Sequence, residues 1–122
     1  MGETIARIKI SSSTNRKSAE LEVLVDTGAT YTTISESILQ NLGIETIDRV
    51  SIELADGRII ERDLGEAIIE VEGKKRTTPV IFGKENDATI LGLVTLESCG
   101  LTVDPINRKL VPLPKIHQYY FL

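Results

Sequence analysis

Leu24-Val25-Asp26-Thr27-Gly28-Ala29-Thr30 carries an apolar strand directly into an acid and a small-residue turn. Just upstream, Leu21, Val23 and Val25 fall on one face of a strand spanning residues 20–25, with Leu24 on the other face near its end. An ionised carboxylate beside Val25 and Leu24 is costly unless donors satisfy it. Thr27 offers a hydroxyl, and Gly28 lets backbone or a ligand come close. Two readings stand at this point. One is a strand-end Asx turn, which Asp, Thr and Gly form routinely; the other is a carboxylate held in place for chemistry.

Working outward, the pattern predicts mostly strands. Ala6, Ile8 and Ile10 alternate with Arg7 and Lys9, and a polar turn follows at Ser11-Ser12-Ser13-Thr14-Asn15. Tyr31–Ile34 is β-branched and aromatic, a further short strand. Ser35 is placed to cap a helix from Glu36 to about Leu42, with Ile38, Leu39 and Leu42 as its apolar stripe and Gly43 as its stop. Val50, Ile52 and Leu54 then lead into Ala55-Asp56-Gly57-Arg58 and out through Ile59 and Ile60. Asp-Gly between alternating strands predicts a two-residue hairpin turn with positive φ at both positions. A separate strand, Ala67–Glu72, turns at Gly73-Lys74 into Arg76–Phe82, where Pro79 marks an edge or bulge. Ala88–Gly92, a helix from Val94 to Ser98 stopped by Gly100, and strands at Leu101–Val103 and Lys109–Val111 complete an all-β chain with two short helices.

The chain has 122 residues, a length that suits one domain spanning 1–122. Lys and Arg number 14 against 18 Asp and Glu, so the net charge of −4 and the lack of a basic cluster argue against a nucleic-acid partner. No apolar run approaches the ~18–20 residues that span a bilayer, so no membrane association is expected. Met1-Gly2-Glu3-Thr4 lacks the features of an export signal, which points to a cytoplasmic protein. Cys99 is the single cysteine and sits among Leu96, Leu101 and Val103, which reads as a buried structural thiol. His117 is the single histidine and lies in the C-terminal tail. With one Cys and one His, the usual zinc ligand sets cannot be assembled in one chain, and neither metal nor cofactor is expected. Chemistry here must rest on carboxylates. Asp87, Glu97 and Asp104 read as solvated or turn-forming residues.

The chain also carries a faint internal echo. Leu24-Val25-Asp26-Thr27-Gly28 leads to a helix ending Leu42-Gly43-Ile44, and Thr89-Ile90-Leu91-Gly92 leads to a helix ending Cys99-Gly100-Leu101. The second copy has Ile90-Leu91 where the first has Asp26-Thr27. With Leu24-Val25 ahead of Asp26-Thr27-Gly28-Ala29, the Asp56-Gly57 hairpin in the interval and Ile90-Leu91-Gly92 before the second helix, the chain resembles the retropepsin-like aspartic proteases. The segment from Leu91-Gly92 through Leu101-Thr102-Val103-Asp104-Pro105 to Leu110-Val111-Pro112 looks like the small stand-alone prokaryotic members. The resemblance covers roughly residues 4 to 113.

The resemblance implies a closed all-β barrel or sandwich with a flap hairpin, and an aspartic endopeptidase acting on extended or unfolded polypeptide. Such catalysis uses two carboxylates sharing one proton around a water, because like charges about 3 Å apart cannot readily both ionise. One chain supplies only Asp26, so the resemblance implies a homodimer with Asp26 from each subunit at the two-fold axis. In that frame Thr27 bonds across the axis, Gly28 and Ala29 border the substrate, and Ala55, Asp56 and Gly57 form the flap tip. Thr30 stands where the viral enzymes often carry an acid, so substrate contacts do not transfer there. The flap tip also lacks the several glycines of the viral flaps. The apolar tail, Lys115–Leu122, allows three arrangements: a strand paired with a partner subunit, packing on its own domain, or seating in a neighbour's groove. Two alternatives belong to other classes. A phosphate loop like those of actin-like ATPases needs a much larger chain, whereas a catalytically silent dimeric peptide-binding module with the same fold needs nothing more than this one.

Overall fold

The computed structural model describes residues 2–14 and 16–121. Asn15 of the polar turn, Met1 and Leu122 lie outside the described residues. The strands are β1 (Ile5–Ser11), β2 (Ser18–Val25), β3 (Thr32–Ser35), β4 (Thr46–Glu53), β5 (Ile59–Val71), β6 (Lys74–Gly83), β7 (Ile90–Leu91), β8 (Leu101–Asp104) and β9 (Lys109–Pro112). Two helices, α1 (Glu36–Asn41) and α2 (Leu93–Ser98), interrupt them. Neither is long and apolar enough to cross a membrane.

Seven strands form one sheet in the order β1-β2-β7-β3-β6-β5-β4, and β1 also pairs with β5. That extra pairing closes six strands into a ring, the all-β architecture expected. The alternation that predicted β1 is what fills the ring: Ala6, Ile8 and Ile10 point inward and are buried. They meet Val23, Ile34, Ile69, Val80, Phe82 and Leu91 in one continuous core. Each fully buried side chain of this size stabilises the fold by about 1.5–3 kcal/mol. Cys99 joins the same core, and burial pushes its thiol pKa up, in keeping with a structural role.

β5 is one thirteen-residue strand, where the sequence pattern predicts two separate ones. It serves two neighbours in turn. Its second half, Ile68–Glu70, closes the ring against β1, while Ile59–Gly65 pairs with β4. β6 joins β5 only from Leu64 onward. The β4–β5 hairpin therefore projects beyond the ring as a two-stranded arm. Pro79 sits one residue before β6 gains β3 as its second neighbour at Val80, so the edge reading holds at that level.

The hairpin tip differs from the expected turn. Gly57 has φ +88, but Asp56 does not enter the positive-φ region. The Gly57 N–H donates to the Leu54 carbonyl at 2.9 Å and the Leu54 N–H to the Arg58 carbonyl at 2.8 Å. This is a three-residue loop with glycine at the left-handed position, the next commonest hairpin solution. The two-residue turn with positive φ at both positions occurs instead at Glu72-Gly73.

The internal echo is real in three dimensions. Leu42 and Cys99, the residues ending the two helices, share φ −82 and ψ −3, and Gly43 and Gly100 follow at φ +77 and +65. Ser35 does not cap α1 as expected; its hydroxyl meets Ser37 Oγ at 2.9 Å instead. Beneath the second copy lies a buried hydroxyl chain. The Gly92 N–H donates to Thr32 Oγ1 at 3.0 Å, Thr32 meets Thr95 at 2.7 Å, and Thr95 meets Thr78 at 3.0 Å. Thr95 is completely buried. Thr95→Val keeps the shape but strands its two hydroxyl neighbours, and should lower stability by roughly 1–3 kcal/mol in urea unfolding.

Among its described residues the tail beyond β9 forms no strand, and Tyr119 and Phe121 are 91% and 104% exposed. It does not pack back on its own domain. His117 lies within it, exposed, its Nδ1 2.8 Å from the Tyr119 hydroxyl.

Candidate active site

The loop after β2 is held from several sides. β2 runs parallel to β7, with Leu24 opposite Ile90 and Val25 opposite Leu91. The Asp26 N–H donates to the Leu91 carbonyl at 3.0 Å. The first N–H groups of a helix lack partners within it. In α2 they find them on this loop: Leu93 donates to the Ala29 carbonyl at 2.8 Å and Val94 to the Thr30 carbonyl at 3.0 Å. The second half of the echo thus braces the first. Gly92, at the junction, has no room for a side chain, since a Cβ there would sit 2.5 Å from the Tyr31 carbonyl carbon.

Within the loop, the Gly28 N–H donates to Asp26 Oδ1 at 2.9 Å and the Ala29 N–H to the Asp26 carbonyl at 3.2 Å. This is the Asx turn that the sequence allowed. It fixes one carboxylate oxygen and leaves Oδ2 without a hydrogen-bond partner among the described residues. Asp26 is half-buried, while Thr27 is exposed and its hydroxyl bonds to nothing among the described residues.

Asp26 faces a cleft of about 1080 Å³. Gly28, Ala29, Thr30 and Tyr31 form its floor, Ile52, Leu54, Ala55, Arg58 and Ile60 of the hairpin arm form one wall, and Asp87, Ala88 and Ile90 form part of another. Of the sequence-predicted residues, the structure brings Asp26, Gly28, Ala29 and Ala55 into this one cavity. Thr27, Asp56 and Gly57 are not on its surface. Asp56 turns back to Arg58, accepting from its N–H at 3.0 Å and from Nε at 2.7 Å, contacts that hold its carboxyl below the usual carboxylate range.

Sequence reasoning missed Arg62 and Asp87. Asp87 does form the expected turn, accepting the Lys84 N–H at 2.7 Å, but it also takes a two-pronged bond from Arg62 at 2.7 and 3.0 Å. The signal was present in β5, where Ile60, Arg62 and Leu64 share one face and put a cation on the inward register. The Arg62 guanidinium holds the Asp87 carboxyl below its ordinary value. A carboxyl lowered on folding contributes stability that is complete above the unfolded-state value near 3.8 and is lost as pH falls through the lower folded value. Asp87→Asn should therefore flatten the acid side of the urea-midpoint curve below about pH 4.

Three acids line the cleft: Asp26, Glu53 and Asp87. Asp87 is committed to Arg62, and Glu53 is exposed near the outer end of β4. Asp26 alone combines a fixed orientation with an oxygen open to the cavity. A family model described as "gag-polyprotein putative aspartyl protease" matches residues 10–98, nearly three-quarters of the chain, from within β1 to the end of α2. The matched span includes Asp26, the hairpin arm and Gly92. No curated protein matches the chain.

Proposed function

The chain belongs to the retropepsin-like aspartyl protease family, and on that premise we propose that it is an endopeptidase whose catalytic carboxylate is Asp26, working as a homodimer. The observation that carries this reading is a carboxylate with one oxygen fixed by Gly28 and the other open, on the floor of a cleft walled by a projecting hairpin. Membership in an aspartyl protease family gives the chain a protease-like function in general terms. The rest is proposed from its own residues, with the chain taken as one domain.

Two carboxylates are needed, one as base toward a water and one to protonate the carbonyl of the scissile bond. Of the three acids lining the cleft, Asp26 is the one whose orientation is fixed by the turn while Oδ2 has no hydrogen-bond partner among the described residues. The second Asp26 comes from a second copy, with the exposed Thr27 hydroxyls bonding across the two-fold axis and the two loops facing each other. In the pair, one proton is shared between the two carboxylates. The water loses a proton to the ionised Asp26 as its oxygen joins the peptide carbon. The protonated Asp26 gives its proton to the carbonyl oxygen, and collapse of the tetrahedral diol passes a proton to the leaving amine. The hairpin arm, tipped by Ala55, Asp56 and Gly57, serves as the flap that covers an extended substrate and keeps bulk water out. Gly28 and Ala29 leave space for the substrate backbone beside the dyad.

The test is mass-spectrometric cleavage profiling of an unfolded-peptide mixture from pH 3 to 8. It is run with and without a peptide carrying a hydroxyl-bearing tetrahedral centre in place of the scissile amide. The reading predicts internal cleavages that this mimic suppresses, because it binds as the transition state does. No cleavage at a concentration where the protein sediments as a dimer would contradict it, and mimic binding without cleavage would assign the chain to peptide binding alone.

A further inference from the structure

Of the ion pairs made by the hairpin arm's described residues, Arg62–Asp87 joins the arm to the rest of the molecule, and from this we infer that it is a positioning latch: it sets the arm's angle over the cleft and so the fit of substrate. The inference deepens the endopeptidase reading and rests on it for its consequence in catalysis. The observations for the latch itself are structural.

The ion pairs made by the arm's residues divide cleanly. Arg49 meets Glu61 and Asp63 at 3.6 and 2.9 Å, and Arg58 meets Asp56 at 2.7 Å, so these pairs join the arm to itself. Arg62 reaches out of the arm to Asp87, in the loop between β6 and β7 that forms part of another wall of the cleft. The contact is also better shielded than the pairs within the arm, with side chains 17% and 22% exposed, whereas those pairs are mostly open to water. Exposed pairs of that kind contribute little, but a two-pronged guanidinium–carboxylate contact adds both strength and geometric definition.

Its position gives it leverage. Arg62 lies two residues before β5 acquires β6 as a neighbour at Leu64, so it grips the arm where the arm leaves the ring. The register of β4 against β5 breaks at the same level, between Thr46 and Asp48, opposite Gly65 and Leu64. A bulge bends a strand and interrupts its ladder, which makes this the natural pivot of the arm. Both ends of the latch are themselves braced. The Arg62 Nη1 donates to the Glu61 carbonyl at 2.8 Å, and Asp87 Oδ2 accepts the Lys84 N–H as well as Arg62 Nε. Lys84 in turn reaches Glu36 at the start of α1 at 3.0 Å. The latch thus fixes the distance between two walls of the cleft.

The experiment compares wild type, Asp87→Asn, Arg62→Gln and Arg62→Lys by amide hydrogen exchange at pH 7. Exchange reads local opening region by region and needs no turnover. In Asp87→Asn and Arg62→Gln, amides of residues 47–61 should accelerate about tenfold more than those of β1 and β2, which monitor the ring. Arg62→Lys keeps the charge but loses the fork, and should fall between them and wild type. Equal acceleration in arm and ring would show a pair that only stabilises the fold, and no acceleration would show an arm held by other means. Either result overturns the latch. With peptide substrate, the latch predicts a KM raised about tenfold with kcat changed less than about threefold, the pattern of lost positioning. A fall in kcat at unchanged KM would overturn it as well. Absence of turnover in wild type would count against the endopeptidase reading instead, and the latch would then stand or fall by exchange.

Discussion

Asp26→Asn should abolish peptide cleavage, lowering kcat by at least about 10³-fold, while leaving the fold intact. Asparagine is the same size and its carbonyl oxygen can still accept the Gly28 N–H that now reaches Asp26 Oδ1 at 2.9 Å, so the turn keeps its shape. What it cannot do is take a proton from water or hold one for the carbonyl. Positioned general acid–base groups contribute about 10²–10⁴-fold, and Asp26 is proposed to fill both roles across the two copies. A dimer of Asp26→Asn chains has neither base nor acid. The measurement is steady-state cleavage of a defined peptide beside thermal unfolding of both proteins. Residual activity above about a tenth, with an unchanged melting profile, would remove Asp26 from the reaction.

Gly92→Ala should be the most damaging change of a single small residue. The added Cβ would lie 2.5 Å from the Tyr31 carbonyl carbon, 2.6 Å from its oxygen and 2.8 Å from the Thr32 nitrogen. These are backbone atoms at the entry to β3 and cannot swing aside as a side chain would. Overpacking of this kind costs about 3 kcal/mol, or on the order of 10 °C in melting temperature for a chain of this size. The consequences run to the candidate site. The Gly92 N–H is a member of the buried hydroxyl chain, and the next two residues hold the Ala29 and Thr30 carbonyls. Displacing Gly92 therefore displaces the brace under Asp26. Gly73→Ala is the informative control. At φ +74 with nothing within 4 Å of the added atom, it should cost only about 1–2 kcal/mol, from backbone strain alone. A Gly92→Ala protein melting within about 2 °C of wild type would refute the close-packing account.

How far the sequence alone leads can be judged from particular elements. β1 was legible because alternation of Ala6, Ile8 and Ile10 with charged neighbours has one physical meaning in a half-buried strand. The Asp26 turn was legible because an acid at the end of an apolar strand is costly and so conspicuous. The echo was legible too, since two apolar strands, two glycines and two short helices repeat in order. What could not be read was set partly by contacts distant in sequence and partly by a choice between competing local bonds. Whether β5 ran as one strand or two depended on β1 and β4 taking its opposite ends. The Asp56-Gly57 turn had two local solutions compatible with the same dipeptide, and the bond from Leu54 to the Arg58 carbonyl selects one. Arg62 and Asp87 are 25 residues apart, and each alone looks like an ordinary surface charge. Ser35, whose place before Glu36 suits a helix cap, is drawn to Ser37 instead.

The central claim is that one chain holds half an active site. It is tested most directly by refolding wild type together with Asp26→Asn at constant total protein and measuring peptide cleavage as the wild-type fraction falls. If each competent site needs Asp26 from both copies, activity follows the square of that fraction, leaving roughly a quarter when half the chains are wild type. Activity that falls in direct proportion, leaving roughly half, would mean that each chain acts alone, and would contradict the shared dyad.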